Sequence, residues 1–223
     1  MTTEGTFLGS LPPSAVAELV AESSRKRFES GQVLIREGGT DTHVILLLGG
    51  FVKVTTAVEG HETLLGIRLP GELVGEIGAL TGEPRNATVT ACGRVTAGIL
   101  SQARFEGFLG HRPDAARLIA GAVARQLRWA NRRRSDFAAF PAHIRLARLL
   151  SEIAEVCGRE RPDGSVELTV PLSQPELAAM IAIGQATVQK AMRDLRDAGL
   201  ITTGYRRIRL LDPVRLAKLA SSI

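Results

Sequence analysis

The spacing of apolar positions changes three times along the chain. Ser14 to Ala21 carries a short helical pattern, and after it come brief apolar runs broken by glycine. Val33 to Ile35, Val44 to Leu48, Phe51 to Val54, Thr63 to Ile67, Ala87 to Thr90 and Val95 to Leu100 predict strands. Glu37-Gly38-Gly39, Gly49-Gly50, Glu59-Gly60 and Pro70-Gly71 separate them as turns. Strands at such short intervals argue for a small β-sandwich or barrel.

From Arg112 the pattern becomes that of one long helix. Pro113 and Asp114 fall in its first turn, where proline loses nothing and a carboxylate meets the positive end of the dipole. Gly121 is the only glycine before Phe137 and the next proline is Pro141, so the rod is roughly 40 Å long at ~1.5 Å per residue. Its least polar stripe is Ala116, Ala120, Val123, Leu127 and Ala130, then Arg134 and Phe137. Steps of four and three make this the seam of a two-stranded coiled coil, and its small residues let two helices approach closely. Packing of the stripe on the chain's own β-rich part is the alternative. Phe140-Pro141 closes the helix as a hinge, because the residue before proline is pushed out of the helical region.

A different arrangement follows. His143 to Cys157 is amphipathic through Ile144, Ala147, Leu150 and Ala154; Arg161-Pro162-Asp163-Gly164 is a turn, and Val166 to Val170 alternates as a strand does. Ser173-Gln174-Pro175-Glu176 has the form of a capping box, in which hydroxyl and carboxylate satisfy orphan amides, and it predicts a short helix from Gln174 to Ile181. After a break at Ala182 to Gly184, a second helix puts Val188, Ala191, Met192 and Leu195 on one face and stops at Gly199. Two short helices joined so tightly form a helix-turn-helix. Ala186, Gln189, Lys190 and Arg193 face outward, with Gln185 in the first turn, where recognition helices meet base edges. Glutamine pairs with adenine and lysine with guanine in the major groove. Leu200 to Thr203 and Ile208 to Leu211 then flank the basic turn Gly204-Tyr205-Arg206-Arg207, a wing suited to phosphate. A plain helical hairpin with a solvated charged face explains neither the strand before it nor the wing after it.

Charge separates the two halves. Net charge is −3 over residues 1–100, +5 over 101–140 and +3 over 141–223, so a polyanion is expected to meet the C-terminal part. Cys92 and Cys157 stand far apart with no C-x-x-C partner, which indicates neither a disulfide framework nor a metal site and predicts two buried free thiols. The start MTTEGTFLGS lacks the basic and apolar regions of a signal peptide, and the run Val44 to Val52 is too short to span a bilayer. A cytoplasmic protein without a membrane partner is expected. No P-loop, nucleophile elbow, H-E-x-x-H or clustered acid pair offers a constellation for catalysis.

Pro70-Gly71-Glu72-Leu73-Val74-Gly75-Glu76-Ile77 followed by Pro84-Arg85-Asn86-Ala87 is similar to a phosphate-binding cassette. Leu172-Ser173-Gln174, Glu176-Leu177-Ala178, Thr187-Val188 and Ala198-Gly199-Leu200-Ile201 are similar to a helix-turn-helix signature. On these motifs nearly the whole chain resembles the cyclic-AMP receptor protein and FNR superfamily of bacterial transcription regulators. The resemblance implies an α+β chain with a cyclic-nucleotide-binding-like β-roll over 1–111, a dimerisation helix and hinge over 112–140, and a winged helix-turn-helix over 141–223. It also implies a homodimer, a palindromic double-stranded operator, RNA polymerase as a partner, and cyclic AMP or a related nucleotide as effector. The effector residues it implies are Gly75, Glu76, Ile77, Arg85, Asn86, Ala130 and Asn131, with Arg85 on the phosphate and Glu76 on a ribose hydroxyl. Ser173, Gln174, Gly184, Gln185, Ala186, Thr187, Gln189, Lys190, Arg193, Arg206 and Arg207 are the DNA-binding candidates.

The chain departs from the family at informative places. Asn86 stands where cyclic-AMP binders usually carry Ser or Thr, Ala130 where a Thr commonly reads adenine, and Gly184-Gln185-Ala186 where Ser-Arg-Glu is frequent. A different operator follows from the last of these. The cysteine cluster of the iron-sulfur branch is absent, and four scattered histidines do not indicate haem. Two other readings stay open: a cyclic-nucleotide-binding module acting on a protein partner, and a DNA-binding regulator that needs no nucleotide.

Overall fold

The computed structural model describes residues 5–58 and 61–221; the turn expected at Glu59-Gly60 lies outside the described residues. The chain packs as two compact units that divide between Arg128 and Trp129.

The first unit contains, in order, α1 (Phe7–Ser10), α2 (Pro13–Glu22), β1 (Ser24–Phe28), β2 (Val33–Ile35), β3 (Val44–Gly49), β4 (Val52–Val58), β5 (His61–Arg68), β6 (Leu73–Val74), α3 (Glu76–Thr81), β7 (Thr88–Ala91), β8 (Val95–Leu100), α4 (Gln102–His111) and the start of α5 (Pro113–Ala139). The strands form two antiparallel four-stranded sheets, ordered β1-β8-β3-β6 and β2-β7-β4-β5. β3 explains how the layers stack. Side chains of a strand alternate between faces, and Ile45 and Leu47 enter a core shared with Leu34, Ile35, Val52, Val89 and Ala91 of the opposite sheet. Val44 and Leu46 point the other way, into a second core with Leu19, Phe105, Phe108, Ala115 and Ile119 of the covering helices. Burial on both faces is why this strand reads as an unbroken apolar run.

α5 starts at Pro113 with Asp114 in its first turn. Ala115 and Ile119 fasten it to the first unit, whereas Ala116, Ala120, Val123, Leu127, Ala130, Arg134 and Phe137 are exposed. The stripe read as a seam is therefore not the stripe that packs on the β-domain.

The second unit takes the end of α5, then α6 (Ala142–Cys157), β9 (Gly158–Glu160), β10 (Val166–Leu168), α7 (Gln174–Met180), α8 (Gln185–Asp197), β11 (Ile201–Gly204), β12 (Arg207–Leu210) and α9 (Pro213–Ser221). Its sheet is ordered β11-β12-β10-β9. Leu146, Leu149 and Leu150 of α6 are fully buried, and truncating such a leucine to alanine costs about 2 to 5 kcal/mol. Cys157 is buried there as expected; Cys92 is only half-buried, because it follows the end of β7 in a surface bend.

Candidate functional site

The cassette is built around an arginine that has almost left solvent. Arg85 is 3% exposed; its Nε donates to Asp41 Oδ1 at 2.7 Å, Nη1 to the Gly75 carbonyl at 2.6 Å and Nη2 to the His43 carbonyl at 2.5 Å. Its backbone is fixed as well, with Arg85 N donating to Gly39 O and Gly38 N to Arg85 O, both at 2.8 Å. Gly75 has to be glycine. It sits at φ +86°, and a Cβ there would fall 2.8 Å from Arg85 Nη1 and from Ile35 Cδ1. Glu76 opens α3 and is buried; burial pushes its carboxyl up, against the pull of its own backbone N–H and of Arg68 and Arg85. Ile77 is half-buried and Asn86 is exposed beside Arg85. Ala130 and Asn131 are exposed on the part of α5 that belongs to the second unit. Asp41 escaped the sequence reading, since it lies 44 residues from Arg85; its place beside the loop glycines Gly38 and Gly39 was the available signal.

The second unit presents a polar face on a rigid support. The capping box forms: Ser173 Oγ accepts from Glu176 N, and Ser173 N donates to Glu176 Oε2 at 2.7 Å, which fixes the start of α7. Gln174 is half-buried beside it. In α8, Val188, Ala191, Met192 and Leu195 are buried, and Gln185, Ala186, Thr187, Gln189, Lys190 and Arg193 are exposed, as is Gly184 at the cap. Gly199 at φ +68° ends the helix, with Gly199 N donating to Arg196 O and Leu200 N to Leu195 O. β11 and β12 pair from Ile201↔Leu210 to Gly204↔Arg207. The tip between them holds Tyr205, 90% exposed, and Arg206, whose guanidinium lies 6.0 Å from the Tyr205 ring. Arg206 and Arg207 are both exposed.

Among the described residues no group of three or more His, Cys, Asp or Glu is placed to hold a metal ion, and no helix is long and apolar enough to cross a membrane.

Comparison with known proteins matches the same two parts. Residues 25–112 match the cyclic nucleotide-binding domain family and residues 144–219 the Crp-like helix-turn-helix domain family. The chain is 28% identical over 217 residues to the CRP-like cAMP-activated global transcriptional regulator of Mycobacterium tuberculosis, covering 97% of this chain and 96% of that protein. It is 30% identical over 200 residues to the transcriptional regulator LdrP of Thermus thermophilus, covering 88% and 97%. A solved structure of a CRP/FNR-family transcriptional regulator, also of Thermus thermophilus, superposes with a TM-score of 0.74 at 27% identity over 89% of this chain and 99% of that one. The chain belongs to the CRP/FNR family. As a CRP/FNR-family transcription regulator it combines a cyclic nucleotide-binding domain with a DNA-binding helix-turn-helix.

Proposed function

We propose that the protein acts in the cytoplasm as a homodimer that binds a palindromic operator and is not an enzyme. α8 enters the major groove with Gln185, Gln189 and Lys190 toward base edges, while Arg206 and Arg207 meet phosphate. Ser173, Gln174, Gly184, Ala186, Thr187 and Arg193 complete the contact surface, and RNA polymerase is the partner that reads the bound dimer. The observation that carries this reading is the division of α8 into a buried apolar side and an exposed side of long polar residues. Binding of a fluorescent duplex, selected by the protein from a random-sequence pool and titrated at several salt concentrations, tests it. A slope of affinity on salt is expected, together with preference for the selected duplex over a scrambled one.

For the effector we propose a cyclic nucleotide, with cyclic AMP first because the Mycobacterium tuberculosis relative is cAMP-activated. The cassette keeps the residue types a cyclic phosphate requires. Gly75 brings backbone close, Glu76 supplies an acceptor for a sugar hydroxyl, and Arg85 uses three donors of the five on a guanidinium. Ile77, Asn86, Ala130 and Asn131 are the further candidates for contact with base and phosphate. A ligand that prefers one arrangement of the dimer shifts the population toward it by no more than its differential affinity. A second reading rests on Asp41, which already gives Arg85 an anionic partner: the cassette is complete without nucleotide, and regulation follows protein level or another effector. Calorimetry against cyclic AMP, cyclic GMP and cyclic di-GMP, with operator affinity recorded in parallel, separates the two.

A further inference from the structure

The joint between α7 and α8 is held from outside the helix-turn-helix. The last carbonyls of a helix have no partner within it and carry the negative end of its dipole. At the end of α7, the Met180 carbonyl accepts from Arg133 Nη1 at 2.8 Å and the Ile181 carbonyl from Arg145 Nη1 at 2.9 Å. The next residue, Ala182, sits at φ +49°, a left-handed conformation that alanine seldom adopts. Two guanidiniums thus fix the carbonyls just where the chain turns toward α8.

Arg133 is itself held on three sides. Its guanidinium carbon lies 3.9 Å from the centre of the Trp129 ring, one turn earlier in α5. Its Nη2 donates to Glu152 Oε2 of α6 at 3.3 Å, and the same oxygen accepts from Trp129 Nε1 at 3.1 Å. The side chain is 16% exposed. Arg145 is placed in a similar way, over the Phe137 ring at 5.0 Å. The long helix therefore reaches the turn through Arg133, braced by Trp129 and Glu152, and α6 reaches it through Arg145.

We propose that Arg133 is a positioning residue for sequence reading: it touches no base, and it sets the angle at which α8 leaves the turn. This rests on α8 being the element that reads operator sequence. General attraction of DNA, which depends on net charge and on the wing, does not require that angle. Loss of Arg133 lowers discrimination between sequences, and overall binding to DNA much less. Lysine can reach one of the two acceptors but cannot form the fork or the flat stack on Trp129.

The test uses the full chain and two duplexes of equal length and composition, one selected by the wild type from a random pool and one scrambled. Arg133→Met is expected to bind the selected duplex about tenfold more weakly while holding the scrambled one within about twofold. Arg133→Lys falls between. Glu152→Gln, which keeps an acceptor but removes the charge, moves in the same direction by less. Hydrogen exchange quickens at the amides of Ala182 to Gly184 and stays slow in α6, and the emission of Trp129, the only tryptophan, shifts as its stacked cation is lost. Equal losses on both duplexes, or fast exchange throughout α6, make Arg133 a stability residue and overturn the proposal. A wild type that discriminates beside an Arg133→Met that matches it overturns the proposal alone. A wild type that holds both duplexes equally overturns the reading role of α8 and the proposal with it.

Discussion

A buried guanidinium keeps its place only when acceptors surround it, and Arg85 draws its three from a carboxylate and two carbonyls contributed by two separate stretches of chain. An incoming phosphate has to share this group with Asp41. A charged hydrogen bond contributes about 1.5 to 3 kcal/mol, so Arg85→Leu is expected to weaken cyclic AMP at least tenfold in calorimetry. Asp41→Asn removes the competing charge and is expected to tighten binding; an unchanged affinity would show that Asp41 and ligand do not compete. Glu76 allows a prediction about pH. Burial raises its carboxyl above the usual value of 4.5, so the folded state holds a proton that the unfolded state has already released. Stability contributed in this way is present at low pH and is lost as pH rises from about 4.5 through the folded value. The cost of this burial therefore grows as pH rises above about 4.5, and Glu76→Gln is expected to raise the melting temperature at pH 7 more than at pH 4. A larger gain at pH 4 would contradict this account.

At the scale of elements, α8 and the wing are expected to fail in different ways. Gln185→Ala should cost about 1 to 3 kcal/mol at one operator position, whereas Arg206→Ala should weaken all duplexes and lower the salt slope by roughly one unit. Uniform weakening in Gln185→Ala would remove that residue from the readout. These elements were legible because their signals are local: a Ser-x-x-Glu cap, a four-residue apolar face, a glycine stop and a basic turn. Elements without such signals were not seen. β1 is an edge strand whose Arg25, Lys26 and Arg27 are exposed, so no alternation marks it. α4 carries Gly107 and Gly110 within its ten residues, which masks a helix capped by Ser101 and anchored by Phe105 and Phe108. α1 and β6 are too short to show a period, β9 is wholly exposed, and α9 opens on Pro213 with only Leu216 and Ala220 buried. The same limit applies to the candidate sites. Arg85 and Gly75 stand ten residues apart in one recognisable motif, while Asp41 reaches Arg85 only through the fold of the β-roll. Arg133 reads in sequence as the middle of an Arg-Arg-Arg run, and nothing near it announces the carbonyl 47 residues away.

For the whole molecule, the decisive surface is the stripe of α5 that the single chain leaves open. Leu127 is 61% exposed, Phe137 52% and Val123 36%, and Ala116, Ala120 and Ala130 of the same stripe are exposed as well. Isolated exposed apolar residues need no explanation, but a row of them at steps of four and three along 27 helical residues does. The face that could have answered to the chain's own core is a different one, marked by Ala115 and Ile119. A second copy laid along the stripe would bring Leu127 against its counterpart near the middle of the seam. Leu127→Glu would then bury two like charges, and uncompensated buried ions cost several kcal/mol each. The expected result is a monomer by sedimentation velocity at micromolar concentration, with the fold retained because the mutated side chain is open in the single chain. Operator affinity should fall in step, since one half-site then binds without the other. Leu127→Ala provides the graded control: it shortens the side chain without adding charge, and should weaken the dimer without abolishing it. A Leu127→Glu protein that still sediments as a dimer would place the interface elsewhere and take the α5 seam out of the mechanism.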